Sequence, residues 1–143
     1  MTRKTFVTVC LSILIAAGLS SCKYPEGPFV SLQSATARVA QDWEVVSATD
    51  SAGNDVTDAW DEAAFSFEDD KEADVILELL EVPINYTGTW DLDNDETIFE
   101  LDLTSNTIIP VPRNLEFEIL RLTQSEFWLR DTGDSTEIRL EVD

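Results

Sequence analysis

The stretch "GTWDLDNDETIFELDL", residues 88–103, decides the fold. Apolar and polar residues alternate on both sides of its centre, which is the pattern of a β-strand with one buried face. The centre, "DNDE", is a run of polar residues that favour turns. The stretch therefore predicts two antiparallel strands joined by a hairpin, with Trp90, Phe99, Leu101 and Leu103 facing inward.

The same alternation recurs along the chain in eight strand-like runs separated by turn residues, and no helix of ordinary length fits between them. Eight short strands joined by hairpins can close on themselves and so remove their unpaired edges. We therefore predict an all-β protein, an eight-stranded antiparallel up-and-down barrel. Its strands are expected at 43–49, 63–68, 74–82, 86–92, 97–103, 115–122, 126–132 and 136–143.

Seven aromatic residues occupy inward positions of these runs, and an eight-stranded barrel has room for side chains or for one small ligand. We therefore predict a mostly filled interior with at most a shallow apolar pocket at one end, beneath the longer connectors 50–62 and 104–114. A ligand there would contact Trp60, Ile108, Ile109 and Val111; the alternative is that these residues only plug the barrel. The seven inward aromatic residues are Trp43, Phe65, Phe67, Trp90, Phe99, Phe117 and Phe127.

A short helix is expected over residues 32–41, where Leu32, Ala35 and Val39 share a face. The run 74–82 is apolar on both of its faces, unlike the other runs. We therefore expect the helix to cover the outer face of this third strand.

The N-terminus has the three parts of a secretory signal: the cationic Arg3 and Lys4, the apolar run 6–19, and small residues before Cys22. The quartet Leu19-Ser20-Ser21-Cys22 resembles the lipobox of bacterial lipoproteins. That resemblance implies cleavage before Cys22 and acylation of this residue. Residues 1–21 are then the signal peptide, 22–31 the acylated cysteine with an extended tether, and 32–143 the barrel domain.

The remaining chain is strongly acidic, because removing Arg3 and Lys4 from the 9 basic side chains leaves 7 against 29 acidic ones, for a net charge of −22. Such a charge opposes binding to nucleic acid, whose phosphates require Lys and Arg. The chain has no histidine, and Cys10 lies in the predicted signal peptide. His-based triads, cysteine nucleophiles and the usual zinc sites are therefore excluded, and we predict a protein that is not an enzyme and carries no cofactor.

One aspartate-rich segment resembles a calcium loop, because Asp91, Asp93 and Asp95 alternate. Glu96 stands at the sixth position, where such loops need glycine, and the segment joins two predicted strands, whereas an EF-hand joins helices. We predict a solvated hairpin turn and no metal site.

Residues 38–143 are similar to the lipocalin-like domains of bacterial lipoproteins, particularly those of the Bacteroidetes. The similarity is carried by "QDWEVVSA", "AFSFEDD", "GTWDLDNDETIFEL" and "FEILRLTQSEFWLRD". It implies an eight-stranded barrel and a small apolar ligand, and it supplies no catalytic residue.

Together these features predict a non-enzymatic lipoprotein, anchored through Cys22 in the outer membrane, that binds a small hydrophobic ligand at the barrel mouth. The alternative is an accessory lipoprotein with a filled barrel, which acts through contacts with another envelope protein.

Overall fold

The computed structural model describes residues 23–27 and 32–143, so the predicted signal segment and Cys22 lie outside the described residues. Eight strands form one closed barrel in which each strand pairs antiparallel with its chain neighbours and β1 pairs with β8, which confirms the predicted architecture. No helix within 23–27 and 32–143 is long and apolar enough to cross a membrane. The elements are α1 Ala35–Val39, β1 Asp42–Thr49, a 3₁₀ helix Thr57–Trp60, β2 Ala64–Phe67, β3 Glu72–Leu79, β4 Val82–Leu92, β5 Ile98–Ser105, β6 Pro112–Leu122, β7 Glu126–Asp131 and β8 Glu137–Val142.

The up-and-down order of the strands gives the barrel two different ends. The helix end holds α1, the C-terminus and the turns at 68–71, 93–97 and 123–125. The loop end holds the connections at 50–63, 80–81, 106–111 and 132–136. Both long connectors predicted from the sequence therefore lie at the same end of the barrel.

The interior of the helix-end half is filled by aromatic rings that form one connected network around Phe99. This ring is fully buried, and its centroid lies 5.2 Å from that of Phe67, 6.1 Å from Trp90, 6.4 Å from Phe117 and 5.1 Å from Phe127. Trp43 joins through Phe127, and Phe65 joins through Phe67. All seven aromatic residues predicted to face inward are buried, so the alternation identified the interior correctly.

Both buried tryptophans satisfy their indole N–H groups at the helix end. The Nε1 atom of Trp43 donates to the backbone oxygen of Val39 over 2.9 Å, and that of Trp90 donates to the backbone oxygen of Glu68 over 3.0 Å. A buried indole N–H without a partner would cost free energy, so these bonds orient the two rings.

Gly88, at the start of the stretch that decides the fold, is required by the close approach of β5. A Cβ atom at this position would lie 1.8 Å from the backbone oxygen of Asp102, far inside van der Waals contact. Glycine is the residue that permits such an approach of two backbones.

The helix lies elsewhere than expected, because α1 packs beside the end of β6. The guanidinium of Arg38 in α1 is buried and its Nη1 donates to the backbone oxygen of Leu122 over 2.5 Å. The prediction that the helix covers the outer face of the third strand is wrong, because α1 packs against β6 instead of β3.

The predicted run 74–82 is in fact interrupted by a two-residue hairpin turn. Leu80 and Glu81 have φ angles of +53° and +62°, and β4 begins directly afterwards at Val82. Two positive φ angles match a type I′ turn, whose twist suits a tight hairpin but which favours Asn and Gly. The apolar residues between 74 and 82 therefore do not form two faces of one strand. They belong to β3, to the turn and to the start of β4.

We expect Phe99→Ala to lower the free energy of unfolding by about 3–5 kcal/mol, the usual cost of removing a buried aromatic ring. Urea unfolding followed by far-UV circular dichroism measures this. The matched control is Ile109→Ala on the loop-end surface, which should change stability by less than about 0.5 kcal/mol. Equal losses in the two variants would contradict the central position of Phe99.

Candidate functional site

Two hairpin tips of the loop end carry most of the exposed large apolar side chains. They make up six of the nine such residues between 32 and 143, so apolar surface is concentrated at this end. We call this set the apolar tips: Leu79, Leu80 and Val82 on the β3–β4 hairpin, and Ile108, Ile109 and Val111 on the β5–β6 loop.

The two tips are neighbours because they flank adjacent strands. The last pair between β4 and β5 joins Tyr86 to Ser105, and the backbone N–H of Asn106 donates to the backbone oxygen of Asn85 over 2.8 Å. Residues 82–85 of β4 therefore continue beyond β5 while still pairing with β3. At about 3.3 Å per residue, these four residues carry the β3–β4 hairpin roughly 13 Å beyond the last residue of β5.

The β5–β6 loop holds its apolar residues outward through its own hydrogen bonds. The buried Ser105 accepts a bond at Oγ from the Val111 backbone N–H over 2.9 Å, and Thr107 Oγ1 donates to the backbone oxygen of Ile109 over 2.7 Å. Ile108 is fully exposed, Ile109 is 77% exposed and Val111 is 54% exposed. These three apolar side chains are therefore exposed on a loop that is held in shape by its own hydrogen bonds.

Trp60, the fourth residue of the predicted ligand site, lies differently. It ends the 3₁₀ helix, is half-buried and packs against the core, while that helix contacts β1 and β3. Thr57, at the start of the same helix, accepts at Oγ1 from the Ala48 backbone N–H over 3.0 Å. The structure thus places Trp60 against the barrel core and the other three residues on the surface, and their contact with a ligand stays a prediction.

The β3–β4 tip is a feature that the sequence reasoning missed. Its turn contains no Gly, Asn or Pro, so the usual turn signals are absent at Leu80 and Glu81. The one available signal was the alternation itself, which changes phase across 79–82. A leucine in the left-handed region costs about 1–2 kcal/mol, and Leu80 is also 89% exposed, so its own burial recovers none of this cost.

Acidic side chains lie at the same end of the barrel as the tips. Hydrogen bonds from the side chain and backbone of Asn54 lower the pKa of Asp50, and those from the Thr57 hydroxyl and N–H lower the pKa of Asp55. Both carboxylates therefore stay charged well into the acidic range. Other exposed acids at this end are Asp58, Asp61, Glu62, Glu81 and Asp134.

The aspartate-rich segment forms the β4–β5 turn at the helix end, as the hairpin prediction expected. The carboxylate Oδ1 of Asp93 accepts from the backbone N–H groups of Thr97 over 2.6 Å and Ile98 over 2.8 Å. Glu96 has a φ of +54°, so this turn adopts the left-handed conformation without glycine. Within the described ranges no group of three or more acidic or thiol side chains is arranged to hold a metal ion.

A second feature absent from the sequence reasoning is a row of cross-strand pairs on the outer wall of β6, β7 and β8. Trp128 pairs in register with Arg121 and with Arg139, and their guanidinium carbons lie 5.2 and 4.1 Å from its ring centroid. In the next row, Arg130 forms ion pairs with Glu118 and Glu137. Predicting these contacts required the strand register, which alternation alone does not provide.

Two grooves of about 580 and 470 Å³ also lie on the outer wall, across β4–β6 and β1–β4. The first groove carries the exposed acids Asp91, Glu100 and Asp102, and the second combines Asp42 and Asp74 with apolar residues such as Ala64 and Ile76. Neither groove is the apolar cavity inside the barrel that a lipophilic ligand would fill.

The fold is lipocalin-like. The structure is similar to the crystal structure of a lipocalin-like protein from Bacteroides uniformis, with a TM-score of 0.56 over 74% of this chain and 99% of that one. The two sequences are 15% identical, so the similarity concerns the fold. No family model and no curated protein matches the sequence.

The pKa of Asp93 gives a pH-dependent prediction for the β4–β5 turn. Hydrogen bonds from the backbone N–H groups, that of Ile98 first, lower this pKa. A lowered folded pKa stabilises the protein above the ordinary value of about 3.9, and the contribution is lost as pH falls through the folded pKa. We therefore expect Asp93→Asn to be less stable than wild type at neutral pH, and the two stabilities to converge below about pH 4.

Urea unfolding between neutral and acidic pH measures this convergence, with Asp95→Asn in the same turn as the control. Calorimetric titration with calcium should also show no site tighter than about millimolar. A micromolar calcium site that Asp93→Ala removes would contradict the assignment of this segment as a metal-free turn.

Proposed function

We propose that the protein is an acyl-anchored, non-enzymatic lipoprotein of the outer membrane whose filled barrel supports a docking surface for another envelope protein. One observation carries the proposal. Aromatic rings fill the interior of the barrel near its helix end, whereas the apolar tips are exposed at the loop end.

The packing of the interior argues against a deep ligand site. A lipocalin-like barrel that carries a lipophilic molecule needs an apolar cavity, since small-molecule sites bury most of the ligand surface. Here ring centroids in the network lie 5.1 to 6.4 Å apart, which is the distance of rings in contact. The helix-end half therefore has no room for a ligand.

The shape of the apolar tips favours a protein partner. Ile108, Ile109 and Leu80 are exposed on convex hairpin tips, so a small molecule would meet each of them from one side only. A protein with an apolar groove can enclose both tips at once. Contiguous exposed apolar surface on a soluble domain typically marks such an interaction site.

The conformation of Leu80 supports the same conclusion. A positive φ at an exposed leucine lowers stability, and Asn or Gly would remove the strain. Backbone strain of this kind occurs preferentially at functional sites. An apolar side chain at the end of the longest hairpin is well placed to enter a pocket of a partner.

The charge around the tips defines the partner further. Asp58, Asp61 and Glu81 are exposed near the tips, and the predicted mature chain carries a net charge of −22. Complementary potentials accelerate association and exclude wrong partners. The expected partner surface is an apolar groove with a basic rim.

A shallow apolar ligand site beneath Trp60 is the second candidate. The inward residues nearest the loop end include the small Ala48, Ala63 and Ser105 beside the single ring of Tyr86, whereas the network of seven rings lies towards the helix end. Any free volume inside the barrel would therefore lie below the 3₁₀ helix, where Trp60 would cover a ligand.

The proposed anchor leads to a direct prediction. Cys22→Ser should move the protein from the membrane to the soluble fraction, because it removes the residue that would carry the acyl chains. One acyl chain gives only marginal membrane binding, so the wild type should show at least two by intact mass. A Cys22→Ser variant that stays membrane-bound, with an unmodified wild type, would disprove the anchor.

If the apolar tips are a docking surface, substitutions that relax the Leu80–Glu81 turn should stabilise the protein and weaken its binding to the partner. The double variant Leu80→Asn/Glu81→Gly should raise the free energy of unfolding by about 1–2 kcal/mol, because it relieves two left-handed residues. It should also abolish the adduct formed by a photo-crosslinking amino acid at position 108 in cells. The same crosslinker at position 95, at the helix end, is the matched control.

Two outcomes would contradict the docking surface. One is a crosslinked adduct of equal yield from positions 95 and 108. The other is stoichiometric binding of a fatty acid or steroid, seen by tryptophan fluorescence, that neither Trp60→Ala nor Ile109→Ala weakens, since such a ligand would lie deep in the barrel.

A further inference from the structure

Residues 23–27 pack on the barrel, whereas the sequence predicted a semi-extended tether over 23–31. We call these five residues the strap. The side chain of Tyr24 is 1% exposed and belongs to the hydrophobic core, with the guanidinium carbon of Arg38 6.0 Å from its ring centroid. Burial raises the pKa of the Tyr24 phenol, and the neighbouring Arg38 guanidinium acts in the opposite direction.

A bulge in β6 provides the backbone group that receives the strap. The register of β6 with β7 shifts between Ile119 and Arg121, which leaves Leu120 outside the ladder. Its backbone oxygen accepts from the Glu26 N–H over 2.8 Å. Arg121 Nη1 in turn donates to the backbone oxygen of Glu26 over 2.5 Å, so both backbone polar groups of Glu26 are bonded to β6.

The first residue of the strap is fixed at the helix end. The Nζ atom of Lys23 forms an ion pair with Glu96 of the β4–β5 turn. Cys22 directly precedes Lys23, and consecutive Cα atoms lie about 3.8 Å apart. Acyl chains on Cys22 would therefore enter the lipid next to this turn.

We infer that the strap holds the barrel with its helix end against the lipid surface and its apolar tips pointing away from that membrane. This inference rests on the proposed acyl anchor and adds the orientation of the barrel to it. The lipid surface is the partner of the helix end, and the loop end is left free to meet a protein.

Apolar surface alone would suggest the opposite orientation, with Leu80, Ile108 and Ile109 inserted into the bilayer. The dimensions of the barrel prevent the apolar tips from entering the same bilayer to which the strap holds the helix end. The eight residues of β5 span about 26 Å along the strand, or roughly 20 Å along the axis of a barrel with strands tilted by 35–45°. A strap bonded to β6 leaves no free chain to bring the loop end back to the anchoring membrane.

Fluorescence quenching in vesicles tests this orientation. The acylated protein is reconstituted in phosphatidylcholine vesicles that contain a nitroxide-labelled phospholipid, with one fluorophore on Asp95→Cys, Ser51→Cys or Ile108→Cys. An acylated Cys22 has no free thiol, so each introduced cysteine is labelled alone. We expect several-fold stronger quenching at position 95, in the β4–β5 turn, than at positions 51 and 108 of the loop end.

Two further variants separate the strap from the anchor. Inserting ten Gly and Ser residues between Cys22 and Lys23 leaves every barrel contact intact and adds a flexible link of roughly 17 Å. It should remove the difference in quenching without changing acylation. Tyr24→Ala should do the same, whereas Tyr24→Phe keeps the buried ring and should retain the difference; circular dichroism verifies that each variant is folded.

The outcomes distinguish the orientation from the anchor. Stronger quenching at 51 or 108 than at 95, or equal quenching at all three positions, overturns the orientation. So does a ten-residue insertion that leaves the pattern unchanged, because the strap would then not determine it. A wild-type protein with a free Cys22 thiol and an unmodified mass instead disproves the anchor, and this result is read before any fluorophore is attached.

Discussion

The packing of rings around Phe99 is the contact on which the rest of the structure depends. Four other rings meet this side chain, so β2, β4, β5, β6 and β7 all converge on one point inside the barrel. A chain that begins at Cys22, as predicted, has no cysteine pair for an internal disulfide, so packing is expected to supply its stability. Each buried aromatic side chain removes about 150–250 Å² from water.

Concentrating the rings at the helix end has consequences for both ends of the barrel. Trp43 and Trp90 need hydrogen-bond acceptors there, and α1 and the β2–β3 turn supply them as backbone oxygens. The helix end thereby becomes a closed, bonded surface. At the loop end, Trp60 packs against the core, and the buried inward residues include Ala48, Ser105 and the ring of Tyr86.

The sequence predicted the fold closely because the alternation of a barrel strand is imposed by burial on one side and water on the other. For this reason the number of strands and all seven inward rings were predicted correctly, and the boundary between the third and fourth strands was misplaced. The position of α1 could not be predicted, because a helix of five residues packs through a few long-range contacts such as that of Arg38 with Leu122. The hairpin turn at Leu80 was missed since it contains no turn-forming residue. Of the candidate site, the sequence identified the β5–β6 tip as notable, but the adjacency of the two tips depends on strand register.

The strap was unpredictable for a different reason. The segment 23–27 contains Pro25 and Gly27, and this composition ordinarily indicates an extended linker. Its docking depends on a bulge in β6, almost one hundred residues away, that frees the backbone oxygen of Leu120. The same bulge therefore determines where the proposed anchor leaves the barrel. In the proposed orientation, the strap brings the helix end to the membrane, and the strained Leu80 at the loop end stays away from the lipid that would otherwise bury it.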